Sequence, residues 1–218
     1  MKKTSNQKGV SLVELIFVLV ITGIMTGIAV VSYSSSRKYA ADDQARQIVD
    51  LLDEARQKSL NQRNTMRVEI NKTKNIITLI DENDSNGVTP VVTNDRIIRS
   101  LPISTNATVG AAPNNVSAGP TATSPIPVPS YTTSTYPLST GDQKITLRFR
   151  SNGQVVDAGT DNVGTGSVIT GATIYVYSTT ASGTNPDVIR AVTVLGTSGD
   201  TAIYKCQVTG SSCGAWSR

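Results

Sequence analysis

An apolar stretch near the N-terminus, KGVSLVELIFVLVITGIM from Lys8 to Met25, constrains this chain most strongly. The residues from Val10 to Val31 include no Lys, Arg, Asp or Pro, and Glu14 is their single carboxylate. About 20 apolar residues cross a bilayer as a helix. A lone glutamate in such a segment costs about 2.5–3.5 kcal/mol near the bilayer centre and less near an interface. The sequence therefore predicts a transmembrane helix over residues 10–31 in which Glu14 has a charged partner.

The residues around this stretch predict its orientation. Lys2, Lys3 and Lys8 precede it, which favours an N-terminus in the cytoplasm and a globular domain on the other side of the membrane. One alternative is a secretory signal peptide, but residues 30–33 do not resemble its small-residue cleavage site. A passive anchor is a second alternative. We favour a single-pass anchor of the cytoplasmic (inner) membrane that is processed and functional.

The step from Gly9 into the apolar run, with Glu14 five residues later, resembles the type IV pilin and type II secretion pseudopilin superfamily. The resemblance implies that residues 1–9 are a leader, which prepilin peptidase removes by cutting between Gly9 and Val10. It also implies N-methylation of Val10. Glu14 becomes the assembly residue, since its carboxylate neutralises the new α-amino group of a neighbouring subunit. The chain departs from the family where Val10 replaces the common Phe and Val31 replaces a common Pro.

The helix is predicted to continue beyond the apolar stretch, over residues 32–64. A stripe of small and apolar residues recurs there at spacings of three and four, which is typical of an amphipathic helix. Packing of this stripe on the protein's own domain and a coiled coil with a partner are both compatible with the pattern; we favour the first. The stripe consists of Ala41, Ala45, Ile48, Leu52 and Ala55.

The sequence from residue 65 to 218 predicts an antiparallel β domain, because the apolar period changes to two. The expected fold class is therefore α+β, with one long N-terminal helix packed on a C-terminal antiparallel β domain. Asn152-Gly153 is a strong tight-turn signal. Two strands are predicted around a turn at 71–75, the first with Val68 and Ile70 and the second with Ile76, Thr78 and Ile80. The other predicted strands are Arg96–Leu101, Lys144–Arg150, Thr173–Tyr177, Val188–Leu195 and Thr201–Lys205.

The body of the chain also resembles the GspH/FimT branch of minor pilins and pseudopilins. Outside the N-terminus the similar segments are Glu54-Ala55-Arg56, residues 61–64, residues 80–87 and KITLRFRSNG at 144–153. Some FimT-type members bind DNA through a Gly-Arg-x-Arg element. The matching place reads Gly-Asp-Thr-Ala at 199–202, so the resemblance does not imply nucleic acid as a partner.

A low-complexity segment lies at residues 100–141. It holds no charged residue from Ser100 to Gly141 and is dense in Ser, Thr, Ala and Pro. Such a composition predicts a long exposed loop. On a filament it could be glycosylated or adhesive; solvated disorder is the interpretation that we favour.

The acidic turn DENDSNG at residues 81–87 places oxygen ligands at alternate positions, as calcium loops do. The candidate ligands for a weak Ca²⁺ site are Asp81, Asn83, Ser85 and Asp95. The spacing departs from an EF-hand because the glycine comes one residue late and Val92 stands where the bidentate Glu should be. We favour a solvated turn without metal, and no other cofactor is expected.

Cys206 and Cys213 are the two cysteines of the chain. Outside the cytoplasm such a pair favours a small disulfide loop. Two buried free thiols are the alternative. The resemblance supports the disulfide, because many pilins have a C-terminal region bounded by one.

Composition argues against an enzyme. The chain has no histidine, which removes the commonest general base and metal ligand, and no nucleophile elbow or phosphate-binding loop is present. The resemblance implies a structural subunit of a type II secretion pseudopilus or type IV pilus, with prepilin peptidase, other subunits and the inner-membrane assembly platform as partners. The alternatives are an adhesive or ligand-binding pilus module and a signal-anchored periplasmic enzyme.

Overall fold

The structure is a computed structural model that describes residues 11–82, 95–116, 118–120, 126–134, 138–156, 166–178, 188–209 and 212–218. Side chains are described in these ranges except at residues 29–38 and 209. The chain divides into two compact units, Met1–Arg37 and Lys38–Arg218. The first unit contains the N-terminal part of one long helix, and the second contains the rest of that helix and two β-sheets.

Helix α1 spans Leu12–Gln62. Ser11 immediately precedes it and Glu14 lies in its first turn, so the sequence Ser-x-x-Glu has the spacing of a capping box. At the other end Arg63 has a positive φ of 55°, which is the left-handed conformation that commonly terminates a helix. Local signals therefore mark both ends of α1.

In the described part of the chain, eleven strands form two antiparallel sheets, as the sequence predicted for the fold class. Sheet A has the order β3-β2-β1-β6-β5, with β7 paired to β6, and sheet B has the order β11-β10-β9-β8-β4. The strands are β1 Met66–Asn71, β2 Ile76–Asp81, β3 Arg96–Pro102, β4 Ala107–Gly110, β5 Thr132–Thr133, β6 Gln143–Phe149, β7 Val155–Val156, β8 Gly171–Ser178, β9 Ile189–Leu195, β10 Thr201–Thr209 and β11 Ser212–Ser217.

The predicted stripe of α1 lies in the main core of the second unit. Ala41, Ala45, Ile48, Leu52 and Ala55 are all buried in one cluster with side chains of both sheets. The helix therefore packs on its own domain, and the prediction is confirmed. On its outer side, Glu54 and Lys58 form an ion pair, one turn apart, at 3.8 Å.

The hairpin β1–β2 has its turn where it was predicted, at 71–75. On β2, however, the residues that face the core differ from the predicted ones. Val68 and Ile70 point into the main core, and their partners across the ladder are Leu79 and Ile77. Cross-strand partners share a face, so Ile77 and Leu79, rather than Ile76 and Thr78, enter that core. In the turn the Asn71 side chain accepts a hydrogen bond from the Lys74 amide at 2.9 Å.

The segment at 100–141 differs from the long exposed loop that its composition predicted. Its described parts include the end of β3, the strand β4, which pairs with β8, and β5, which pairs with β6. Tyr131 donates a hydrogen bond to the Val109 carbonyl at 2.7 Å, and burial raises the pKa of its phenol to about 12. The segment runs from β3 in sheet A to β4 in sheet B and back to β5 in sheet A, and parts of it are buried. Its lack of charge, which predicted a loop, is therefore consistent with this partial burial.

Candidate functional site

The N-terminal part of α1 presents apolar side chains to its surroundings. Every residue from 11 to 28 is exposed, including Phe17 at 64% and Leu19 at 71%. Exposed apolar surface of this extent marks a site of contact with protein or membrane. Glu14 lies within this surface, in the first turn of the helix, where the partial positive charge of the helix dipole favours a carboxylate.

The two threonine hydroxyls in this part of the helix are satisfied by the helix itself. The hydroxyls of Thr22 and Thr26 donate to the carbonyls of Val18 and Thr22, each at 2.7 Å. They therefore need no outside partner in an apolar environment. Apart from the adjoining helix backbone, no atom lies within 4 Å of the position that a Cβ would occupy at Gly23 or Gly27, which leaves their face of the helix open to close approach.

Among the residues that the structure describes, no helix combines the length and the apolar character needed to cross a membrane. The predicted cleavage residues Gly9 and Val10 lie outside the described residues. Cleavage and N-methylation at this position remain predictions, as does the assembly role of Glu14.

The two cysteines form a disulfide, Cys206–Cys213, within the described residues. It links β10 to β11, an edge strand that the sequence did not predict. Cys213 is fully buried, and its amide donates to the Asn115 carbonyl at 2.8 Å. The disulfide is therefore part of a small second core and not of a free loop.

Two of the four predicted calcium ligands have arginine partners. Asp95 accepts a hydrogen bond from Arg67 at 2.8 Å, and Asp81 lies 3.7 Å from Arg96. Asn83 and Ser85 lie outside the described residues. In the ranges that the structure describes, no group of three or more His, Cys, Asp and Glu residues is arranged to hold a metal ion.

Six ionisable side chains form a cluster on the face of sheet A that is turned away from the main core. The sequence did not predict this cluster. We call it the charge cluster; it balances three cations against three carboxylates, and none of these side chains is more than 4% exposed. Its members are Arg67, Glu69, Glu82, Asp95, Lys144 and Arg148.

Arg67 is at the centre of the charge cluster. Its three nitrogens donate to Glu69, Glu82 and Asp95 at 2.8, 2.5 and 2.8 Å. Burial disfavours the charged guanidinium, but the three carboxylates outweigh it and raise the pKa of Arg67 above its ordinary value. Arg148 donates to the same Glu82 oxygen at 2.9 Å. The cluster is a neutral network in which each carboxylate contacts a cation.

The comparisons with known proteins concern two parts of the chain. Residues 4–30 match the family model of the prokaryotic N-terminal methylation motif. The matched segment contains Gly9 and Glu14, the residues on which the predicted resemblance rests. No curated protein sequence matches the chain. A solved structure similar to it is the minor pseudopilin EpsH from the type 2 secretion system of Vibrio cholerae, at 14% identity, with 75% of this chain and 94% of that chain covered and a TM-score of 0.40.

Proposed function

We propose that the protein is a structural subunit, a minor pilin or pseudopilin, of a type II secretion pseudopilus or a type IV pilus. The observation that carries the proposal is the methylation motif at residues 4–30 combined with Glu14 in the first turn of an exposed apolar helix. In this proposal residues 10–31 anchor the chain in the cytoplasmic membrane before assembly, and the β domain lies outside the cytoplasm. Its partners are prepilin peptidase, the assembly platform and other subunits.

The proposed role of Glu14 follows from electrostatics. Cleavage after Gly9 creates an α-amino group on Val10, in surroundings where an unpaired charge is costly. The negative charge of the carboxylate on one subunit and the positive charge of the amine on the next neutralise each other only when the helices stack. The pair therefore favours the polymer over the isolated subunit and sets the register between neighbours.

Glu14 has a second possible role, because Ser11 and Glu14 have the spacing of a capping box. Two variants separate the roles. Glu14→Gln keeps a side chain able to cap the helix but removes the charge, whereas Ser11→Ala removes the other capping residue and keeps the charge. If Glu14 pairs with an amine, Glu14→Gln lowers incorporation into filaments by about tenfold or more, and Ser11→Ala changes it little.

The measurement is the amount of the subunit in sheared filaments relative to the membrane fraction, in the native host. Both variants should reach the membrane at the wild-type level. Mass spectrometry of the mature wild-type N-terminus should find methylated Val10. A retained leader would contradict processing, and normal incorporation of Glu14→Gln would contradict the pairing role.

A further inference from the structure

Lys144 and Asn71 lie directly opposite each other on the paired strands β6 and β1. Their side chains are on the same face of sheet A, and they are 1% and 3% exposed. Directly opposed residues of an antiparallel pair have Cβ atoms about 4.5–5.5 Å apart. The four-carbon stem of a lysine is long enough to span such a gap, so we infer that the buried Lys144 amine can reach the buried Asn71 carboxamide.

A proton acceptor contacts the amine. The Lys144 Nζ is 2.8 Å from the Glu69 Oε1, a distance suitable for general-base transfer. The same oxygen accepts a hydrogen bond from the Arg67 Nε at 2.8 Å. The Glu69 Oε1 thus contacts both cationic groups, and a carboxylate oxygen acts as a base and not as an electrophile. Glu69 is thus suited to take a proton from Lys144 and unsuited to be attacked by it.

The carboxamide of Asn71 is polarised at both ends. Its Oδ1 accepts a hydrogen bond from the backbone amide of Lys74 at 2.9 Å, where negative charge would develop during attack on Cγ. Its Nδ2 donates to the Asp142 Oδ2 at 2.7 Å. Hydrogen bonds from Lys74 and Asn71 lower the pKa of Asp142, so its carboxylate is an acceptor beside the leaving nitrogen.

We propose that the protein forms an intramolecular amide bond between the Lys144 Nζ and the Asn71 Cγ. The ammonium of Lys144 gives one proton to Glu69, and the resulting amine attacks Cγ. The oxyanion on Oδ1 is stabilised by the Lys74 amide. A second proton moves from the attacking nitrogen to Nδ2 through Asp142. The bond between Cγ and Nδ2 then breaks, and ammonia leaves.

The charges and atoms of this step balance without an oxidant or reductant. The new C–N bond replaces the broken one, and ammonia carries away the nitrogen of Asn71. Lys144 becomes neutral, and Glu69 keeps the proton that it received. The remaining charges of the cluster are Arg67 and Arg148 against Glu82 and Asp95, so the buried region stays neutral after the reaction. Holding both groups on adjacent strands makes the reaction unimolecular.

The test is the mass of the full-length chain, produced with its leader in a host without prepilin peptidase and purified in mild detergent. We expect a mass below that of the disulfide-bonded sequence by one ammonia, about 17 Da. After trypsin digestion, a linked peptide should join residues 68–72 to a peptide that is uncleaved at Lys144. An unchanged mass overturns the proposal. So does a loss of ammonia without the linked peptide, which would indicate a succinimide at Asn71.

Variants test the role of each group. Lys144→Arg keeps a cation but cannot form the bond, and it should have the full sequence mass. Lys72→Arg changes an exposed lysine beside Asn71 and should retain the loss of ammonia. Glu69→Gln should also have the full mass if it has the circular dichroism spectrum of the wild type. A folded Glu69→Gln protein that still loses ammonia would exclude Glu69 as the proton acceptor. This inference is independent of the proposed function, because the bond lies wholly within the β domain.

Discussion

Arg190 on β9 donates two hydrogen bonds to the carboxylate of Asp42 on α1, at 2.6 Å from Nε to Oδ1 and 2.9 Å from Nη2 to Oδ2. The bond from Arg190 lowers the pKa of Asp42, although burial acts in the opposite direction. Arg46, one turn along the helix, has the spacing that favours a local pair with Asp42. The structure instead uses Asp42 to connect the helix to sheet B.

Asp42→Asn should therefore lower stability in a pH-dependent way. Because the folded-state pKa is lowered, the contribution is present above the unfolded value of about 3.9 and is lost as pH falls through the folded value. The Asp42 side chain is 35% exposed, so solvent screening limits the cost to about 1 kcal/mol at pH 7. Chemical unfolding at several pH values measures it. Asp43→Asn, at an exposed neighbour, should cost less than about 0.5 kcal/mol; an Asp42→Asn effect that persisted at pH 2 would contradict the assignment.

Leu52→Ala should be strongly destabilising, because Leu52 is fully buried between α1 and the sheets. Truncating a buried leucine costs about 2–5 kcal/mol through lost transfer energy and the cavity left behind. Leu60→Ala is the matched control on the same helix, since Leu60 is 43% exposed, and it should cost about 1 kcal/mol or less. Denaturant unfolding of both variants gives the comparison; equal costs would mean that the helix does not pack as described.

Glu82→Gln should be among the most destabilising single substitutions. Its Oε1 accepts from both Arg67 and Arg148, and the side chains of all three residues are fully buried. Removing one partner from a buried ion pair costs about 3–5 kcal/mol, since charges remain without compensation. Glu54→Gln, in a partly exposed pair with Arg99 and Lys58, should cost less than about 1 kcal/mol. Thermal unfolding followed by circular dichroism would measure both, and a mild effect at Glu82 would show that water reaches the cluster.

Removal of the Cys206–Cys213 disulfide should lower stability by about 2–3 kcal/mol, because the closed loop is short and cross-linking entropy grows with loop length. The cysteines are 7 residues apart. The comparison is unfolding with and without a thiol reductant. The double variant Cys206→Ser/Cys213→Ser is the control and should not respond to the reductant. If the wild type also failed to respond, the disulfide would not contribute to stability.

Local pattern accounts for the parts of the fold that the sequence predicted. The stripe from Ala41 to Ala55 follows the helical period, so its burial could be inferred without any knowledge of the sheets. The turn at 71–75 and Asn152-Gly153 carry backbone conformations that few residues adopt, and both turns are found where they were predicted. These signals depend on neighbours within a few residues.

The charge cluster depends on pairing between distant strands, which no local pattern specifies. Lys144 meets Glu69 only because β6 pairs with β1 in one register, across a separation of 75 residues. From sequence alone, Arg67 and Glu69 alternate with apolar residues and fit a solvated face of a strand. A slip of the register by one residue would separate these charges. The same dependence on partners explains why β4, β5, β7 and β11 were not predicted.

The part of α1 in the second unit makes side-chain contacts with strands that come much later in the chain. Asp42 meets Arg190 and Asp53 meets Thr201, each across a separation of 148 residues. Contacts of such high contact order slow folding, because the entropy of closing a long loop is lost before the contact forms. During synthesis the apolar stripe of α1 is therefore made well before β9 and β10, which contribute side chains to the core around it. Because transiently exposed apolar surface promotes aggregation, we expect a folding helper that shields this stripe in the interval to raise the yield of the native domain.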